Sequence, residues 1–199
     1  MKRLSSQLIV FGLIAALGAA TTAPVQAAEP THQGVQYLGP PQNVALAANG
    51  AVAAASSTGF GDTELSSAGK LIDDTRSGTD CYWTDDTVDE FPDVVQINFF
   101  GNKTIDRVVV YSVQEELNNF GGIDPTDTYN CYVYVLTDFT VEGWNGNDWA
   151  TLATVSGNDL CKRTLTFAPF STDQIRINVT ATGGWSLTRI AEVEAWEAQ

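Results

Sequence analysis

The sequence predicts an all-β fold, a sandwich or jelly roll of about eight short strands. Three observations point there. Apolar and polar residues alternate with period two through most of the chain beyond residue 93. β-Branched and aromatic residues dominate those alternating runs. The runs are separated by GN, NGND and SGND, which carry hairpin-turn chemistry. Short strands at near-even spacing with few helical segments make a sandwich, not an alternating α/β fold.

The chain opens with Lys2 and Arg3, an apolar stretch from about residue 8 to 20, and small residues around Val25-Gln26-Ala27. This is the layout of a secretory signal peptide, expected to span residues 1–28, and its apolar run is shorter than a bilayer requires. Residues 29–42, rich in Pro, Gln and Gly, read as a lead-in tail, and residues 43–199 as the domain. Within it, residues 44–55 are alanine-rich around Gly50 and predict an irregular or extended first strand. The alternating runs 94–100, 104–113, 131–144, 149–155, 160–168, 173–181 and 187–196 predict the remaining strands. Residues 114–130, QEELNNFGGIDPTDTYN, interrupt this rhythm with a long polar loop, and such loops often carry function.

Composition narrows the function. The formal charge is −14, and loss of Lys2 and Arg3 with the leader takes it to −16, with 8 basic against 24 acidic residues. A chain of this sign repels nucleic acid and anionic membranes and attracts cations. The only histidine, His32, lies in the tail, so no Ser-His-Asp or Cys-His arrangement is available to the domain. Carboxylate pairs exist, but none sits in an apolar run that would raise one partner's pKa for glycoside cleavage. A non-catalytic protein is therefore expected. The three cysteines show no Cys-x-x-Cys spacing, which argues against zinc, and secretion takes them to an oxidising compartment.

The stretch LIDDTRSGTDCYW, residues 71–83, invites comparison with a calcium loop. Asp73, Thr75, Ser77 and Gly78 fall at the first, third, fifth and sixth positions of an EF-hand, but the twelfth residue is Thr84 where a glutamate is needed, and no helices flank the loop. An EF-hand is excluded.

The order of NVALAANGAVAAASS, KLIDDTRSGTDCYW, VVQINFFGNKTIDRVVVYS, DFTVEGWNGNDWATLATVSGN, TLTFAPFSTDQIRINVT and IAEVEAW resembles a coagulation factor 5/8 type C (discoidin-like) domain. That resemblance implies the galactose-binding-like jelly-roll β-sandwich and kinship with family 32 carbohydrate-binding modules. It also implies a structural calcium ion. The implied ligands are the carbonyls of Lys70 and Thr75, the Asp73 carboxylate, a threonine, and the Ala191-Glu192 pair of the last strand. The loop is one residue longer than the usual pattern, which makes Thr79 the threonine. Trp83, after the loop, is implied to pack inside, and Trp144, Trp149 and Trp196 invite the same reading.

Sugar binders of this fold use loops at one end, where an aromatic face stacks on a pyranose and polar groups bond its hydroxyls. The loop residues of that kind are Tyr82, Asp85, Gln114, Asn118, Asn119, Phe120, Tyr129, Trp185 and Arg189. Trp185, in the glycine-flanked turn TATGGWS, is expected to present an exposed indole. A secreted carbohydrate-binding protein is thus expected, with a surface adhesion protein that binds a protein partner as the alternative. Phospholipid insertion would need exposed apolar spikes with basic companions, against the acidic composition. A disulfide between Cys81 and Cys131 is expected, since both lie at strand–loop junctions, leaving Cys161 buried and free in its alternating strand.

Overall fold

Seven antiparallel strands form from the alternating segments: β1 (Val52–Ala55), β2 (Trp83–Thr84), β3 (Asp93–Ser112), β4 (Leu136–Trp144), β5 (Trp149–Val155), β6 (Lys162–Thr182) and β7 (Arg189–Glu197). The structure is a computed structural model that describes residues 39–61, 66–76, 82–114 and 124–199, all within one compact unit, Leu38–Gln199. Among these residues there is no α-helix, only 3-10 turns at Ala47–Asn49, Gly59–Gly61 and Ala68–Ile72. The alanine-rich segment divides accordingly into a 3-10 turn closed by Gly50 at φ 87° and the short strand β1.

Two expected boundaries are corrected. Gly101-Asn102 is no hairpin turn, and residues 168–173 make no break, because β3 and β6 pair with each other on both sides of these points. Val94–Asn98 pair with Gln174–Asn178, and after a register shift Lys103–Tyr111 pair with Lys162–Thr172. Gly101, at φ 76°, supplies the left-handed backbone that the bulge needs. The result is one long two-stranded ribbon that bends in its middle and serves two layers. In one layer the order is β5-β4-β6-β3-β1, through the later part of β6 and the earlier part of β3. In the other it is β6-β3-β7-β2. A third correction concerns β4, which begins at Leu136, so that Cys131–Val135 is irregular.

Burial alternates along the first half of β3, with Val95, Ile97 and Phe99 inside and Val94, Gln96 and Asn98 half-exposed. These side chains and Phe139, Val141, Ile175 and Ile177 of one layer share a core with Val108, Val110, Val193 and Ala195 of the other. Each large apolar side chain buried this way contributes about 1.5–3 kcal/mol. Trp83 is fully buried in that core, as expected, with its indole N–H donating to the Ser57 carbonyl at 3.0 Å. Trp144, Trp149 and Trp196 are only half-buried, contrary to expectation. The first two meet edge-on, centroids 5.5 Å apart, at the turn end of the β4–β5 hairpin, where the core no longer covers them.

The disulfide joins Cys131 to Cys161, with Cα atoms 5.0 Å apart, and not Cys131 to Cys81, which lies outside the described residues. Its cause is a short antiparallel ladder in which Asn130 bridges Leu160. The Cys131 N–H donates to the Asp159 carbonyl and the Cys161 N–H to the Tyr129 carbonyl, each at 2.9 Å, which sets the two side chains opposite each other.

Candidate functional site

β7 carries the site, because its outward side chains meet both the segment before β2 and the turn before β7 itself. Arg189, its first residue, is buried at 7 % exposure, yet makes no ion pair with a carboxylate among the described residues. Three aromatic rings surround it instead. Its guanidinium carbon lies 4.4 Å from the ring centre of Tyr134, 5.3 Å from that of Trp185 and 5.5 Å from that of Tyr82. The Arg189 Nε is buried with no hydrogen-bond partner. Desolvated cation–π contacts of this kind contribute about 2 kcal/mol or more each, so the three rings hold the charge, while the Nε donor stays unsatisfied.

Trp185 is 46 % exposed, and its ring meets Tyr134 edge-on with centroids 6.0 Å apart. Neither Gly183 nor Gly184 has a positive φ; Gly183 is required because a Cβ there would collide with the Tyr132 carbonyl. Backbone N–H groups of Gly183 and Gly184 donate to the carbonyls of Val135 (2.8 Å) and Tyr132 (3.1 Å). The turn is thereby pinned, and Thr182 donates from its hydroxyl to the Trp185 carbonyl at 2.7 Å. On its other side the indole borders a cleft of about 280 Å³ with Phe91, Asp89 and Ser186. Phe91, which lines the same cleft, is 38 % exposed and extends the aromatic surface beside the tryptophan.

Of the expected ligand residues, Tyr82, Trp185 and Arg189 are brought together. Gln114 is buried, like Arg189, at 7 % exposure. Asp85 is fully buried and closes its own turn, accepting from the Thr87 N–H at 2.8 Å and hydroxyl at 3.0 Å. Tyr129 is 41 % exposed but sits beside the disulfide ladder and makes no ring contact with the cluster. Asn118, Asn119 and Phe120 lie outside the described residues. Tyr134 was missed because CYVYV read as part of a strand. The available signal was its alternation, which sets Tyr132 and Tyr134 two residues apart beside the turn of Trp185.

The expected metal residues also converge. Glu192 is fully buried; its Oε2 accepts the Asp73 backbone N–H at 3.1 Å, and its Oε1 has no partner. Asp73 Oδ1 accepts the Thr75 N–H at 3.0 Å, and Oδ2 pairs with Lys70 Nζ at 3.1 Å. Burial, reinforced by the neighbouring Asp73 carboxylate, pushes the Glu192 carboxyl up to about 9. Ala191 is buried beside it. Among the described residues no three His, Cys, Asp or Glu side chains form a metal cluster, so an ion held here would take one or two carboxylates and otherwise backbone oxygens. A buried carboxylate oxygen without a partner, on a side chain that meets the Asp73 segment, fits that donor set. Thr79 lies outside the described residues.

No sequence-family model and no curated protein matches the chain. Solved structures do. A carbohydrate-binding module of Clostridium perfringens in complex with GalNAc-β-1,3-galactose matches at 15 % identity and TM-score 0.55, over 73 % of this chain and 94 % of that one. The family 32 module of NanJ from the same organism, in complex with galactose, matches at 18 % identity and TM-score 0.52, over 74 % and 93 %. A chitosan-binding module of a Paenibacillus chitosanase/glucanase, in complex with chitotriose, matches at 19 % and TM-score 0.55, over 77 % and 98 %. At such identities the likeness is one of fold: the chain has the galactose-binding-like fold of family 32 carbohydrate-binding modules.

Proposed function

We propose that the chain is a secreted, non-catalytic carbohydrate-binding module whose glycan site is the cluster of Tyr82, Tyr134, Trp185 and Arg189. One observation carries the reading: an arginine that pairs with no carboxylate among the described residues, caged by three rings, one of them a half-exposed indole. An indole face stacks on the apolar side of a pyranose, and a guanidinium fork donates to its hydroxyls. The fold's solved relatives, which carry galactose, GalNAc-β-1,3-galactose and chitotriose, support the same class of ligand. Secretion is supported by the leader-like residues 1–28, and a mature protein beginning at Ala28 or Glu29 is the expected product.

Calcium belongs to this proposal as a structural ion. Asp73 and Glu192 supply carboxylates, with the carbonyls of Lys70, Thr75 and Ala191 and the Thr79 hydroxyl completing the set. The ion neutralises the buried Glu192 and ties the loop before β2 to β7, next to the aromatic cluster.

The test is titration of galactose, GalNAc-β-1,3-galactose and chitotriose into the parent and Trp185→Ala proteins by calorimetry. The expected dissociation constant is millimolar to high micromolar, roughly 4–6 kcal/mol. Trp185→Ala is expected to weaken binding at least tenfold while the melting temperature stays close to the parent's, because the indole is half-exposed. Parent-level binding by a folded Trp185→Ala protein moves the stacking platform elsewhere, and silence of a broad glycan array towards the parent refutes the function.

A further inference from the structure

The outer face of β3, β6 and β7 holds a second cleft, of about 370 Å³, within the size range of small-ligand sites. Strand register builds it. Arg107 lies opposite Trp196, Val109 opposite both Thr164 and Glu194, and Tyr111 opposite Lys162, so these side chains stand in cross-strand rows on one face. Arg107 stands at the end of this cleft farther from the aromatic cluster, whereas Val109 and Tyr111 belong to the buried group against which Tyr82 and Tyr134 pack. From Arg107 to Val113, at the far end of that group, is six residues of extended chain, or about 20 Å.

Charge pairing singles out Arg107. Five of the eight basic residues beyond the leader make ion pairs: Lys70, Arg76, Lys103, Lys162 and Arg176. In a chain with so large an excess of acid, Arg107, Arg163 and Arg189 pair with no carboxylate among the described residues, and each has a buried Nε without a partner. Arg163 lies opposite Val110 and thus on the other face of β6. Arg107 instead stacks on the Trp196 ring, 4.9 Å from its centre, and the indole N–H is in turn held by Glu194 Oε2 at 2.9 Å. The guanidinium is thereby oriented with its donors unspent.

The rest of the cleft says what the donors meet. Asp127 sits over Lys162 (3.5 Å) and the Thr164 hydroxyl (2.6 Å), and Glu194 accepts from Arg76 at 2.5 Å. A compact polyanion such as phosphate would face these two carboxylates. A wholly neutral ligand would leave Arg107 unpaired. A sugar with one carboxylate satisfies both, placing its carboxylate on Arg107 and donating hydroxyls to Asp127, Thr164 and Glu194. We propose that this cleft is a second, independent binding site, one that recognises a uronate-bearing saccharide through Arg107.

The probes are trigalacturonate and its neutral methyl ester, titrated into the chain while the Trp196 indole N–H resonance is followed by NMR. Trigalacturonate is expected to shift that resonance, the ester to bind at least tenfold more weakly, and Arg107→Gln to weaken trigalacturonate at least tenfold. Trp185→Ala is expected to leave the acid's affinity unchanged, which separates this site from the proposed loop site. Lys162→Gln, a second variant, is expected to bind several-fold more weakly. Equal affinity for acid and ester, an unmoved Trp196 resonance, or parent-level binding by a folded Arg107→Gln protein overturns the proposal. Loss of acid binding in Trp185→Ala overturns it as well, because the acid is then held by the loop cluster.

Discussion

Glu192 is where the proposed calcium ion, pH and stability meet. Its carboxyl, raised to about 9 in the fold by burial and by Asp73, ionises near the ordinary carboxylate value once unfolded. The folded state therefore holds a proton that the unfolded state releases. That stability is fully present below the unfolded pKa and is lost as pH rises towards 9. Without calcium, the melting temperature is expected to fall between pH 5.5 and 8.5. The proposed calcium site requires the ionised form, so the stabilisation that calcium adds is expected to grow over the same interval. Calorimetry in chelator and in calcium at both pH values checks this; a calcium increment independent of pH rejects Glu192 as the ligand. Glu192→Gln is expected to abolish the increment. Trp83 provides the contrasting residue. Fully buried and hydrogen-bonded to Ser57, it should cost about 3–5 kcal/mol when changed to alanine, several times the cost at half-exposed Trp185.

Among the elements, the β3–β6 ribbon and the Cys131–Cys161 ladder set most of the geometry. The ribbon carries core residues inward in both layers while its outer face presents Arg107, Val109 and Tyr111. The ladder fixes residues 131–135, on which the turn of Trp185 rests. The bridge closes a loop of 30 residues, which corresponds to about 3–4 kcal/mol of lost unfolded-state entropy. Replacing both cysteines by serine is expected to lower stability by that amount in denaturant titration. Glycan binding should weaken as well, because the segment beneath Trp185 loosens. Peptide mapping of unreduced protein is expected to link Cys131 to Cys161; a peptide joining Cys81 to either one rejects this pairing.

For the molecule as a whole, the proposed loop site, beside a half-exposed indole, is expected to bind weakly, so retention on a surface would require repetition. Two copies joined by a flexible linker long enough to span neighbouring glycans are expected to bind a glycan-coated surface on the order of 100-fold more tightly than one copy, with no new contact. Surface plasmon resonance against a dense and a sparse coating checks it. Equal retention of single and tandem proteins on the dense coating counts against the loop site. The acid excess opposes adventitious attachment to nucleic acid or anionic lipid, which leaves the caged and stacked arginines as local exceptions to the field of the protein.

The all-β class was legible in the sequence, because period-two alternation is a local property that each strand states for itself. Burial of Trp83 and the convergence of Asp73 with Glu192 followed from the resemblance. Trp185 and Arg189 stood out as an indole in a turn and a nearby fork. Other features depend on partners far away in the chain. Gly101-Asn102 has the chemistry of a turn, and only pairing with β6 on both sides makes it a bulge. Cys161 looked like a small core residue until the ladder to Asn130 set it against Cys131. Tyr134 joined the aromatic cage because Gly183 packs on the Tyr132 carbonyl, a contact between segments some fifty residues apart. Local periodicity records which way a side chain points along its own strand; which other chain it meets there is a property of long-range pairing, and no single stretch of sequence contains it.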